Sequence, residues 1–443
     1  MKIGLEVHVQ LPTRSKMFCS CPTEGSAEPN TRVCPACMGF PGSKPSLNGE
    51  ALRLGLKLAK MLGCSIPDTT WFSRKIYFYP DLAKNFQVTQ QETPVGLGGV
   101  YMLGDKPIRI TRIHLEEDPG KIKRTADGSS LIDYNRSGIP LAEIVTEPDI
   151  SSPAEARRFL ASLLADIRHT IDLEPDSERS VRCDCNISVG KERCEVKNVT
   201  GLKNVERALT FEMVRQTKIL KAGGKIERET RHFDEERKVT TSARKKEFEA
   251  DYGYINEPDL GVYHIAKMAS EIENKETPME MIARFVGDYG MTQEAAKQIV
   301  STDIGLAGFF EELAAATDAE NAKTFISGVI SSHWKGFKPS GGSLDDITSM
   351  IGRFAKGEIT DVECNMRIRC IMTGDDDSCR VCSDDLDEIV GRALDENPSV
   401  IADYAKNEKA ANRIIGGVMK ETGGTYSSAE IVSAVRRLIS ERL

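Results

Sequence analysis

In the opening stretch KIGLEVHVQL, Glu6 and His8 stand two positions apart, and a carboxylate beside an imidazole is a pair that can grip a divalent cation. Ile3, Leu5, Val7, Val9 and Leu11 alternate strictly with Lys2, Gly4, Glu6, His8 and Gln10. A β-strand then turns all the apolar side chains to one face and sets Glu6 and His8 side by side on the other, about 7 Å apart. Two more acidic runs follow: ITRIHLEEDPGK, with His114, Glu116, Glu117 and Asp118, and PLAEIVTEPD, with Glu143, Glu147 and Asp149. Several strand-borne carboxylates with an imidazole describe the site that magnesium uses beside nucleotide phosphates. Each run alone is also what a solvated surface looks like.

The thiols form a second candidate centre. Cys19-x-Cys21, twelve residues and then Cys34-Pro-Ala-Cys37 is a spacing that lets two knuckles close a four-thiolate zinc site with no open position, hence a structural one. Cys364, Cys370, Cys379 and Cys382 have unequal gaps that suit a second metal less well, and Cys183 and Cys185 share one strand face, where packing is the commoner role. In WFSRKIYFYPDLAKNFQVTQ, Arg74, Lys75 and Lys84 interleave with Trp71, Tyr77, Phe78 and Tyr79. That composition suits a phosphate-lined or base-stacking surface and equally a buried strand. No phosphate loop of the Gly-x-x-x-x-Gly-Lys-Ser/Thr type occurs, and KPSGGS at 338–343 reads as a turn.

The elements that must position these residues read as α+β as far as about residue 265, with helices in LNGEALRLGLKLAKMLG and SPAEARRFLASLLADIRHTI. Strand signals then nearly vanish. Thr277-Pro278-x-Glu280 opens a helical region as a capping box, and amphipathic segments punctuated by Asn397-Pro398 and the glycines at 423–424 form a small helical tail. A chain of 443 residues is too long for one core and predicts two or three domains. The net charge of −8 argues against indiscriminate coating of nucleic acid, although residues 406–443 hold seven Lys/Arg against four Asp/Glu and are the better place for a phosphate backbone. No apolar run approaches the ~18 residues of a membrane span, and no signal peptide opens the chain, so a cytoplasmic protein is expected.

GLEVHVQL, the CxC and CPAC knuckles with MGFPGSKPSLN after them, RKIYFYPDLAKNFQVTQ, TRIHLEEDPGK, IDYNRSGIPLAEIVTEPD, RCDCNISV, EVKN, ETRHFD and DYGYINEPDL follow one another in an order that resembles the B-subunit family of tRNA-dependent aspartyl/glutamyl amidotransferases. The resemblance covers residues 1 to about 262, and ALDENPSVIADY and GGVMKETGG extend it more weakly into the tail. It implies a cradle-like kinase domain of the glutamine-synthetase type over 1–270, here with a zinc knuckle, a helical domain over 271–380 and a tRNA-contacting helical tail over 381–443. The implied activity is ATP-dependent phosphorylation of the side-chain carboxylate of Asp or Glu esterified to the wrong tRNA. Ammonia from a glutaminase A subunit then displaces the phosphate, and a small C subunit completes the heterotrimer.

Carried over by motif, the magnesium or manganese ligands are Glu6, His8, Glu117 and Glu143. Period-two logic places Glu116 rather than Glu117 beside His114, so Glu117 requires a bulge at the acidic run, and Glu116 is its alternative. ATP phosphates are expected at Lys75, Lys84, Arg112, Lys121 and Arg136. Gly253 stands in DYGYINEPD where the family commonly has arginine, which takes that segment out of the expected site, and Cys185 replaces an expected alanine. A non-catalytic, zinc-stabilised RNA-binding adaptor accounts for the knuckles and the tail but not for the strand-borne acids, and a metal-dependent hydrolase lacks a histidine-rich motif.

Overall fold

The computed structural model describes the chain except for residues 126, 174–180, 246–252, 274, 336, 338–340, 375–385, 405–406, 423–425 and 427. KPSGGS at 338–343, Cys379, Cys382 and the paired glycines therefore fall wholly or partly outside the described residues. Two compact units divide the chain, Met1–Met279 and Glu280–Leu443.

The first unit is built on β1 (Lys2–Gln10), whose alternation behaves as expected: Ile3, Leu5, Val7 and Val9 are all buried on one face. The other strands are β2 (Thr69–Thr70), β3 (Ser73–Ile76), β4 (Phe86–Thr89), β5 (Gly96–Leu103), β6 (Lys106–Glu117), β7 (Lys121–Arg124), β8 (Ser130–Asp133), β9 (Pro140–Thr146), β10 (Val181–Ser188), β11 (Cys194–Thr200), β12 (Glu229–Asp234), β13 (Val239–Lys245) and β14 (Gly253–Asn256). One mixed sheet runs β13-β12-β11-β10-β1-β9-β6-β4-β3-β14, with β5 added to β6, and β1 lies inside it between β9 and β10. Its pairings are antiparallel except β11 with β12.

Three helices cover the apolar face. Helix α1 (Pro35–Met38) is one turn within the cysteine knuckle. Helix α2 (Gly49–Met61) starts where the Asn48 side chain accepts from the amides of Glu50 and Ala51, and α3 (Pro153–Ile171) where Ser152 accepts from Glu155 N with Pro153 at the first helical position. Helix α4 (Leu202–Lys221) packs on β10 and β11, α2 on β5 and β6, and α3 touches both helices. Phe159, Leu163, Leu56 and Leu209 join Val7, Ile113 and Val196 in one core.

The second unit is all helical. One core gathers Phe285, Phe310, Phe325, Trp334 and Ile368, and a separate one gathers Ile389, Leu394, Val418, Val435 and Ile439 from the helices between residues 386 and 442. A short helix over Ser399–Tyr404 follows Asn397-Pro398, which the amphipathic pattern alone does not separate. The helix predicted after Thr277 runs Pro278–Tyr289 and ends at Gly290, whose φ of 62° is the left-handed turn that glycine tolerates.

The glycines of β5 let that strand lie against the end of α2. A Cβ at Gly99 would come within 2.5 Å of the Leu62 carbonyl oxygen, and one at Gly96 within 2.8 Å of Cys64 Cβ and Ile113 Cγ2. Backbone cannot give way as a side chain can, so Gly99→Ala should cost roughly 1–3 kcal/mol. Gly98→Ala meets open space and bears only the penalty of φ +54°, about 1 kcal/mol. Thermal unfolding should therefore rank native above Gly98→Ala above Gly99→Ala.

Candidate metal centre

On the face of the sheet opposite the helices, register assembles what the sequence keeps apart. His8 of β1 lies opposite Glu143 of β9, and Glu143 lies opposite His114 of β6. One rung thus crosses three strands as imidazole, carboxylate, imidazole, with His8 Nε2 3.1 Å and His114 Nε2 3.5 Å from Glu143 Oε2. Glu116, two residues beyond His114 on the same face, brings Oε2 to 3.7 Å from His114 Nε2. One ligand atom each from His8, Glu116 and Glu143 lie within 4.8 Å of one another.

The charges explain the protonation states. Burial pushes the His8 imidazole down, but the charge and hydrogen bond of Glu143 outweigh it and raise its pKa to about 9. Burial would raise Glu143, yet His114, His8 and Lys75 hold it well below the usual carboxylate range, and Glu116 is lowered by His114 against the same burial. Two buried polar atoms in this cluster, His114 Nδ1 and Glu116 Oε2, make no hydrogen bond. Carboxylate and imidazole donors this close, with donor capacity unspent, fit a hard divalent cation.

A second acidic group adjoins it. Glu6 lies opposite Asp184 of β10, and ligand atoms of Glu6, Asp184 and Glu195 lie within 4.8 Å of one another. Lys197 Nζ sits among them, 3.0 Å from Asp184 and 3.1 Å from Glu195, and Asn186 donates to Glu6 at 2.9 Å. Burial and the neighbouring Glu143, Asp184 and Glu195 raise the Glu6 pKa, while Lys197 opposes them. Asp184, Glu195 and Lys197 are not among the expected site residues. The signal for them was present in the period-two alternation of RCDCN, which sends Cys183 and Cys185 into the core and Arg182, Asp184 and Asn186 to the other face.

Glu117 is not in the cluster, which corrects the bulge expected at the acidic run. The register shift between β6 and β9 lies earlier, between Ile110 and Arg112, and pairing is regular from Arg112 to Glu117. Glu116 keeps to the His114 face and Glu117 to the other, where its carboxylate accepts from Val88 N at 2.9 Å and pairs with Lys84 Nζ at 2.6 Å. The cations expected at phosphates divide likewise. Lys75 of β3 has Glu116 and Glu143 as its strongest charged neighbours, and Arg112 precedes His114 by two on the same face. Lys84 is spent on Glu117. Arg136 joins Arg182 around the buried Asp118, at 3.2 and 2.6 Å, and Lys121 is exposed at the start of β7. The excluded DYGYINEPD segment returns to the site's border, because β14 pairs with β3 and sets Tyr254 opposite Lys75. Glu147 and Asp149 lie elsewhere, on Thr111 and Arg109.

The sulfurs of Cys19, Cys21, Cys34 and Cys37 also lie within 4.8 Å of one another and could hold a metal ion. A hydrogen bond from Cys19 and the Cys34 amide lower the Cys37 thiol to about 5 against burial, and the fully buried Lys16 ammonium lies 3.8 Å from its sulfur. Burial pushes Cys21 up to about 11.

A mixed sheet that gathers histidines and carboxylates into a cation-binding rung, beside a four-cysteine knuckle, defines a metal-dependent α/β protein with a helical extension. The model of the GatB/GatE catalytic domain family matches residues 1–271. Over its whole length the chain is 39% identical to the B subunit of the aspartyl/glutamyl-tRNA(Asn/Gln) amidotransferase of Methanospirillum hungatei, of which it covers 98%. It is 40% identical to the corresponding protein of Methanococcoides burtonii, over 95% of this chain and 94% of the relative, and 37% identical to that of Haloarcula marismortui, over 98% and 96%. The chain belongs to the family of amidotransferase B subunits. No helix among the described residues is long and apolar enough to cross a membrane.

The His8–Glu143 contact should be visible in the stability of metal-free protein. Because the folded value of His8, about 9, lies above its ordinary 6.5, the contact contributes fully below pH 6.5 and is lost as pH rises through 9. The amplitude is on the order of 3 kcal/mol. Denaturant unfolding on either side of that window should show the loss, and His8→Gln should flatten it.

Proposed function

We propose that this chain activates the side-chain carboxylate of Asp or Glu misacylated onto tRNA(Asn) or tRNA(Gln), using ATP, for amidation by ammonia. The observation that carries this reading is the rung His8–Glu143–His114 with Glu116: a buried acidic cluster on strands, with unsatisfied donors, is a liability to folding unless it serves a cation. Magnesium, or manganese in its stead, fits His8, Glu116 and Glu143, with Glu6 adjoining, and when bound there it neutralises charge on a triphosphate. Lys75 and Arg112, on the same face, meet the phosphates, while Arg136 and Lys84 act through the carboxylates that hold them and Lys121 reaches from the rim. An oxygen of the aminoacyl carboxylate attacks the γ-phosphorus and ADP departs. Ammonia nitrogen then adds to the acyl carbon and inorganic phosphate leaves, so that an otherwise unreactive carboxylate acquires a leaving group. No covalent nucleophile from the protein is required.

Ammonia comes in this reading from a glutaminase A subunit, with a small C subunit in the complex, as the names of the relatives and the motif order support. The four thiols hold zinc as a structural ion, since four protein ligands leave no open position. A non-catalytic RNA adaptor gives the acidic rung no use, because carboxylates repel a phosphate backbone.

The purified complex should form ADP in the presence of misacylated tRNA and magnesium, and form none without magnesium. Glu143→Gln and Glu116→Gln should each lower the rate at least ~100-fold and weaken manganese binding measured by electron paramagnetic resonance. Glu117→Gln should leave manganese binding near native, and the reverse ranking of Glu116 and Glu117 would restore the sequence-based assignment. Cys34→Ser should release about one zinc per chain by elemental analysis and lower the unfolding temperature.

A further inference from the structure

A cleft of about 500 Å³ lies on the outer side of the helical layer, lined by Arg157, Lys203, Glu206, Arg207, Phe211 and Lys238. Four cations there face one carboxylate. Arg157 is paired with Glu206 at 2.9 Å, and none of Lys203, Arg207 and Lys238 has a carboxylate within ion-pair distance among the described residues. All three are exposed in a chain whose net charge is −8. Like charges concentrated on an otherwise acidic surface raise the local potential and select an anionic partner.

Two features decide what kind of anion. Along α4 the cations share their stripe with apolar groups: Phe211, half-buried, lines the cleft, and Val214, next along the helix, is 58% exposed. Apolar side chains offer a sugar-phosphate backbone little but take up the aliphatic side chains of a peptide. The cleft also lies behind α3 and α4, which cover the face of the sheet opposite the rung His8–Glu143–His114. An aminoacyl end must reach that rung, so tRNA engages the other side. The geometry points to a protein partner: we propose that the α3–α4 cleft seats a segment of a partner subunit in which carboxylates alternate with apolar side chains. This rests on the reading of the chain as a subunit of a larger enzyme, and a volume of this size accommodates a few residues of such a segment.

Lysine acetylation footprinting of the full chain, read by mass spectrometry, tests it in three states: alone, with misacylated tRNA, and with the glutaminase and small subunits. Lys203 and Lys238 should be protected by the partner subunits and not by tRNA. Lys203→Glu/Arg207→Glu/Lys238→Glu, all at exposed positions, should weaken assembly ~10-fold or more, with the loss deepening as salt is lowered, while tRNA affinity stays native. Val214→Asp should weaken assembly without that salt dependence. Protection by tRNA, or native assembly of the triple variant, would overturn the assignment. Failure of the phosphorylating role reads out separately, as absent ADP formation by an intact complex.

Discussion

Everything in the first unit depends on the two-residue period of β1 being obeyed without interruption between two neighbouring strands. Because each side chain turns to the face opposite its neighbour's, a single strand can bury Ile3, Leu5, Val7 and Val9 under three helices and still hold Glu6 and His8 in a separate, polar layer. A slip of one residue would exchange the two layers and drive the acids into the core. The apolar burial on one face is therefore what holds the chemistry on the other in register.

That polar layer keeps its charges close by pairing them across strands. Glu143 is flanked by His8 and His114, Lys197 stands among Asp184, Glu195 and Glu6, and Asp118 is gripped by Arg136 and Arg182. Removing one partner from such a buried group leaves an uncompensated charge, which costs more than the pair contributes. The layer thus consists of locally balanced sets. The set around Glu116 and His114 differs in leaving buried donor atoms without hydrogen bonds. Chemistry and folding make opposite demands there, and the covered face opposite supplies the stability that tolerates it.

The knuckle and the sheet are joined through one side chain. Asn48 caps α2 with its oxygen and donates from its nitrogen to Ser15 O at 2.9 Å, within the segment that leads from β1 to the first cysteines. The arrangement of the thiols and the placement of α2 on β6 are consequently set together. Lys16, fully buried between Cys37 and the Tyr134 carbonyl, is a cation whose burial makes sense only beside polarisable sulfur and a carbonyl oxygen.

Much of this was legible in the sequence because it rests on local periodicity. The alternation of β1, the caps at Asn48 and Ser152, the knuckle spacing and the sharing of one face by His114 and Glu116 are properties of neighbouring residues, and each survives in the fold. What the sequence by itself determined is which side chains share a face and where elements begin. Only the tertiary structure decided which strands lie side by side, and so which carboxylate meets which imidazole: Glu143 between two histidines, Lys197 among three acids, Tyr254 beside Lys75. It also placed the bulge at Ile110 rather than at the acidic run, which sends Glu117 to Lys84. The physical reason is that strand order and bulge position are set by packing between segments 30 to 180 residues apart, and no local pattern encodes that distance.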